Sequence, residues 1–259
     1  MIDVFGVTYA QLETFFLVLI RVWAMLYVFP IFSAPQIPHQ VRFALGALIA
    51  IVLFKVVPVV SLDPNFYALV AAVIAQIVLG IIVGFVASLV FVSIMFAGEL
   101  IDLQIGFAIA NVISPTTQQN ITIIGEFELA IATLVFLVTD SHHLLIQGIA
   151  GSFNLVPLPY INLDPSVMNN AVTFLSIALL NVFKIAAPPA AALFITNVGL
   201  SFMARVAPQM NVFVIGFPLQ IGVGLSVLGL SLGLLGIVGP DIFHDVANQM
   251  DAVMRGLRV

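Results

Sequence analysis

The 259-residue chain has no cysteine and very little charge. Without cysteine there is no disulfide framework, no thiol chemistry and no Cys-ligated metal. Seven Lys and Arg with twelve Asp and Glu leave only 7% of the chain charged, against about 25% in a soluble domain. So few charges cannot cover the surface of a soluble fold of this length. The formal net charge of -5 is small and dispersed, and it suggests no nucleic-acid partner. Residues 1–29 lack both a basic leading region and a small-residue cleavage site, since Asp3 and Glu13 stand where Lys or Arg would be needed; the first apolar segment is expected to be retained. Also missing are G-x-x-x-x-G-K-[ST] and H-E-x-x-H, and the reading is of a non-enzyme without metal or cofactor. Asp140-Ser141-His142-His143 does not change this. Adjacent His residues on a helix point about 100° apart and do not form an i, i+4 zinc pair, so a polar helix end is expected there.

What is present is apolar: 62% hydrophobic residues and a mean hydropathy of +1.24. The expected class is an all-α integral membrane protein. About 20 mainly apolar residues make a spanning helix, and six segments reach that length, at 12–32, 39–60, 66–97, 123–150, 167–203 and 212–239. Asp63-Pro64, Ser114-Pro115 and Asp164-Pro165 each place a capping side chain before a Pro suited to the first helical turn. Segments 66–97 and 167–203 are overlong, and Pro188-Pro189 in the second removes helix hydrogen bonds; these helices are expected to be tilted, kinked or partly outside the hydrocarbon. From Asp241, Ile242, Phe243, Val246, Met250, Val253, Met254 and Leu257 recur at helical spacing, which predicts a short amphipathic C-terminal helix. If all six segments cross, Arg42 and Arg205 lie on one side and Lys55, Arg255 and Arg258 on the other, which turns the C-terminus toward the cytoplasm.

Gly222, Ser226, Gly229, Gly233 and Gly236 keep small residues on one face of the last long helix, and Gly80, Gly84 and Ser88 do the same earlier. Such faces let helices approach closely. Either packing within one bundle or packing between subunits of a hetero-oligomer fits.

Ionisable residues in lipid call for a partner or a function. The densest group is AGELIDLQIGFAIANVISPTTQQN, residues 97–120. Glu99 and Asp102 share a helix face, Gln104 and Gly106 follow, and an apolar run ends at Ser114-Pro115. Three readings stay open: a capped loop outside the membrane, a pore-lining loop with an apolar tip, or a pair of proton carriers in a proton-coupled secondary transporter. A second polar group, RVAPQMNVFVIGFPLQI at 205–221, puts Arg205, Pro208, Gln209 and Asn211 ahead of an apolar helix broken by Pro218. It reads either as a buried joint between two long helices, with Gln209 and Asn211 bonding the freed backbone and Arg205 pairing with a carboxylate or carbonyl, or as an exposed loop.

The run from Arg205 to Leu219 closely resembles the signature of the FliR family of flagellar export-gate proteins, related to the SctT proteins of virulence secretion. Arg21 with Phe29-Pro30, Ile37-Pro38 and Arg42 is similar to the family's first hairpin. Ala97-Gly98-Glu99, Asp102, Gln104 and Gly106 are similar to its central segment. Asp140 with His142 to Ile146, then Ser152, Phe153 and Pro157, is similar to its polar turn. The resemblance covers nearly the whole chain. It implies one gate domain over 1–259: a FliP-like part over 1–165 with a central loop at about 98–120, and a FliQ-like hairpin with the amphipathic helix over 166–259. It also implies assembly with FliP- and FliQ-like subunits and contact with FlhA- and FlhB-like proteins. The expected place is the flagellar basal body in the bacterial inner membrane, where unfolded flagellar proteins pass through the gate. A loop of the family enters the pore as a plug; its position corresponds here to about 106–119, with Gly106, Phe107, Ile109, Val112 and Ile113 as the sealing residues.

Overall fold

The computed structural model describes residues 8–62, 65–107, 122–159, 166–209 and 211–257. Among them are eight helices and no strand: α1 Tyr9–Val28, α2 Pro30–Ser33, α3 His39–Phe54, α4 Phe66–Ile105, α5 Ile123–Val138, α6 Ser141–Leu155, α7 Ser166–Val206 and α8 Val212–Gly256. The chain is an all-α membrane protein. Four helices hold a stretch long and apolar enough to cross a bilayer, over Tyr9–Val28, Phe66–Ile105, Asn169–Val206 and Val214–Gly233, and α5 with α6 form a further candidate bent by 77°. The 40 residues of α4 extend about 60 Å at roughly 1.5 Å per residue, twice the hydrocarbon thickness of about 30 Å.

Four boundaries differ from the sequence reading. Segment 39–60 supplies only the 16 residues of α3, because Pro58 disfavours helical geometry at Val57. The orientation argument, which needed six crossings, therefore does not follow. Segment 123–150 breaks at Asp140, which sits in the left-handed region with φ 54° and turns α5 into α6. Residues 98–105, expected in the central loop, are the last two turns of α4. The amphipathic stretch from Asp241 is the end of α8 rather than a separate helix. In α7 the helix runs on through Pro188 and Pro189. The three cap-and-Pro pairs lie outside the described residues.

The chain forms two compact units. Unit 1 comprises residues 1–89, 140–175 and 243–259. Its α1 buries Leu17, Val18, Val22, Met25 and Leu26 on one face, and the end of α8 buries Phe243, Val246, Met250, Val253 and Met254 at the spacing read from the sequence. Gly80 and Gly84 let α4 lie against α1: a Cβ at Gly80 would meet the Arg21 carbonyl, and one at Gly84 would stand 2.7 Å from the Met25 carbonyl. Arg21 is fully buried. Its Nε donates to Gln76 Oε1 at 2.8 Å, Nη1 to the Ser152 carbonyl at 3.0 Å and Nη2 to the Val156 carbonyl at 3.0 Å. The guanidinium lies 4.2 Å from the Phe153 ring centroid. Gln76 Nε2 passes the link on to the Pro159 carbonyl at 2.9 Å. A planar cation with several fixed donors thus ties α1, α4 and the end of α6 together through neutral acceptors.

Unit 2 comprises residues 90–139 and 176–242. Ala97, Ile101 and Ile105, one face of α4 at steps of four, pack with Ile124 of α5, Val182, Ala186 and Leu193 of α7 and Leu228 of α8. Phe91 and Phe136 meet edge to face at 5.3 Å.

Candidate functional site

The densest polar group of the sequence becomes a tightly built helix junction in unit 2. Helix α4 ends because Gly106 takes φ 96°, a conformation open to glycine, and its N–H and that of Phe107 both return to the Asp102 carbonyl, at 3.0 and 3.1 Å. The same residue's side chain begins the next helix. Both carboxylate oxygens of Asp102 accept the N–H of Ile124, at 3.2 and 3.1 Å, supplying an acceptor that the first turn of α5 otherwise lacks. Backbones touch beside this bond: a Cβ at Gly98 would lie 2.5 Å from the Gly125 Cα, and one at Gly125 would lie 2.8 Å from the Met95 carbonyl. Phe107 and Leu100 pack on the apolar cluster that α7 and α8 complete. The two ends of segment 108–121 are therefore held together by one carboxylate and a pair of glycines.

Asp102 is buried and is engaged as a cap. Glu99 and Gln104 are half-buried. The sequence reading missed Glu128, which is 1% exposed and has a carboxylate oxygen, Oε2, with no hydrogen-bond partner. It lies within electrostatic reach of Asp102, which in turn feels Glu99. An acid inside the apolar run IIGEFELAIATLVFLV was the available signal. Of the residues expected to form a seal, Gly106 and Phe107 lie at this junction; Ile109, Val112 and Ile113 lie outside the described residues.

The joint at 205–211 is an exposed turn within the chain. Arg205, Pro208, Gln209 and Asn211 are all exposed, and among the described residues Arg205 has no carboxylate partner. In this turn Ala207 N–H reaches the Met203 carbonyl at 2.9 Å and Val214 N–H the Asn211 carbonyl at 3.0 Å. The polar link of this hairpin lies further in: Gln220 Nε2 on α8 donates to Asn197 Oδ1 on α7. Helix α8 continues through Pro218.

Gly222, Gly229 and Gly233 have nothing within 4 Å of where a Cβ would stand, and Ser226 is exposed, its hydroxyl bonded to the Gly222 carbonyl at 2.6 Å. The surroundings of Gly236 lie outside the described residues. Close packing falls instead on Gly224, where a Cβ would stand 2.6 Å from Ile105. Only 22% of the apolar stretch of α7 and 17% of that of α8 are buried, against 67% for α4, so both leave long apolar faces uncovered. At the α5–α6 break, the Asp140 carboxylate stands 4.0 Å from His142 Nε2 and 3.9 Å from His143 Nδ1, at the outer limit of an ion pair.

Residues 12–246 match the family model of bacterial export proteins, family 1. The chain is similar to the flagellar biosynthetic protein FliR of Pectobacterium carotovorum, at 32% identity over 94% of this chain and 93% of that one. It is 31% identical to FliR of Bacillus subtilis, over 88% and 90%, and 32% identical to FliR of Aquifex aeolicus, over 90% and 91%. Family model and relatives agree over nearly the whole length: the chain belongs to the FliR family of the bacterial export proteins, which are flagellar export components and not enzymes.

Proposed function

We propose that the chain is a pore-forming subunit of the flagellar type III export gate, assembled with FliP- and FliQ-like subunits in the inner membrane, with the segment from about Gly106 to Gln119 as its plug. The observation that carries this reading is the double anchoring of that segment. Asp102 closes α4 through its carbonyl and opens α5 through its carboxylate, so the described residues on either side of 108–121 are tied to one fixed base, as a plug must be if it is to return to the same place. The apolar faces that α7 and α8 leave open, with Gly222, Gly229 and Gly233 on one of them, suit close packing against neighbouring subunits. Unfolded flagellar proteins would pass when the plug is displaced, with FlhA- and FlhB-like proteins as further neighbours.

One observation favours a second reading. Glu128 is a buried acid with an unpartnered oxygen near Asp102, an arrangement that suits a proton-coupled secondary transporter. Purification from detergent extracts separates the two: the gate reading predicts recovery with FliP- and FliQ-like subunits and no solute uptake by the chain alone in vesicles, and the transporter reading predicts the reverse.

A further inference from the structure

Unit 1 carries an open groove of about 930 Å³ between α1, α3 and the first part of α4, at the upper end of the range for small-ligand sites. Its walls are apolar and aromatic: Trp23 and Tyr27 from α1, Phe43 from α3, Ile77 and Ile81 from α4. Trp23 and Phe43 meet edge to face at 4.6 Å. All five are exposed, so the chain itself does not fill the groove.

One end is polar, and of one sign. Arg42, His39 and Gln40 line it, and among the described residues no Asp or Glu does. Arg42 is 9% exposed and its Nε is buried without a hydrogen-bond partner; Nη2 makes only a 3.4 Å contact with the Ala34 carbonyl. The guanidinium lies 6.0 Å from the Tyr27 ring centroid. Beside it, α3 starts at His39 after Pro38, with no side-chain cap, so its first N–H groups also await an acceptor. A buried cation with an unused donor, an uncapped helix start and an imidazole call for an anion. The aromatic and aliphatic trough leading away from them calls for a hydrocarbon chain. Trp, Tyr and Arg together mark the level where hydrocarbon gives way to headgroups.

We propose that this groove holds an anionic glycerophospholipid, its phosphate at Arg42 and the first turn of α3 and an acyl chain along Trp23, Phe43, Ile77 and Ile81. Charge complementarity selects this occupant, because a zwitterionic lipid brings a cation to the same end as Arg42. The claim is independent of the plug.

Trp23 is the sole tryptophan, so its fluorescence reports on the groove alone. The full-length chain in detergent micelles is titrated with phosphatidylglycerol or phosphatidylcholine carrying brominated acyl chains. Phosphatidylglycerol is expected to quench Trp23 at about tenfold lower mole fraction, the scale of one charge-assisted contact, and inorganic phosphate should not quench it. Arg42→Gln removes the preference, and so does Gln40→Glu, an exposed change that leaves the packing intact. Equal quenching by both lipids, or a preference that survives both substitutions, overturns the proposal. So does loss of quenching in the co-purified gate, which would mean that a protein subunit covers the groove.

Discussion

Asp102 and Ile124, 22 residues apart in sequence, meet at 3.1 Å, where the carboxylate of one accepts the backbone N–H of the other. This bond makes the end of α4 and the start of α5 a single piece. Replacing Asp102 with Ala should destabilise the chain by about 1 kcal/mol, the usual loss of a helix cap, while Asn, an equally good capping residue, should retain most of it. Thermal unfolding in detergent compares the two; equal loss in both would mean that the charge, not the cap, matters.

The glycine contact at the same junction is less forgiving. A leucine at Gly98 would drive into the backbone of Gly125 and force α4 and α5 apart. The expected outcome of Gly98→Leu is faster protease cleavage within 108–121 in the purified chain, with wild-type rates at exposed sites elsewhere.

The two glycine sets of α8 should separate folding from assembly. Gly224→Leu collides with Ile105 and should lower the unfolding temperature of the isolated chain by several degrees, the scale of roughly 1–3 kcal/mol for overpacking. Gly229→Leu enters open space; it should leave that temperature unchanged and reduce recovery with FliP- and FliQ-like subunits. Reduced thermal stability with normal recovery would show that the Gly229 face is not a subunit contact.

Arg21 offers a test of unit 1. Lys keeps the charge but not the planar fork that reaches Gln76, Ser152 and Val156 together, so Arg21→Lys should destabilise by about 2 kcal/mol or more, given roughly 1.5–3 kcal/mol for a hydrogen bond to a charged group. Denaturant unfolding of the full chain measures it, and a loss below about 0.5 kcal/mol, within the range of neutral surface changes, would show that the network is dispensable.

Much of the architecture was legible from residue types. Low charge and segment length revealed the membrane class and the long helices, and the spacing from Phe243 to Leu257 revealed the buried face at the end of α8. What escaped depended on partners distant in sequence. Arg21 stood out inside its segment, yet its acceptors at Ser152 and Val156 are 131 and 135 residues away, beyond any local pattern. The role of Asp102 was hidden for the same reason: its spacing from Glu99 suggested a pair of acids, whereas its fold partner is a backbone N–H. Gly222 and its periodic neighbours marked a small-residue face but not its use, because such a stripe looks alike whether its partner lies in the same chain or another. Arg205 and Asn211 were read as buried because their neighbours are apolar, and the turn between α7 and α8 instead projects them outward.

The plug itself is tested most directly by conductance. Cells carrying an assembled gate in which residues 108–113 are deleted should show increased leakage of small ions and slower growth in high salt, while the Asp102 cap and the α4–α5 junction keep the gate intact as judged by co-purification. Wild-type conductance in an assembled gate lacking those residues would contradict the account.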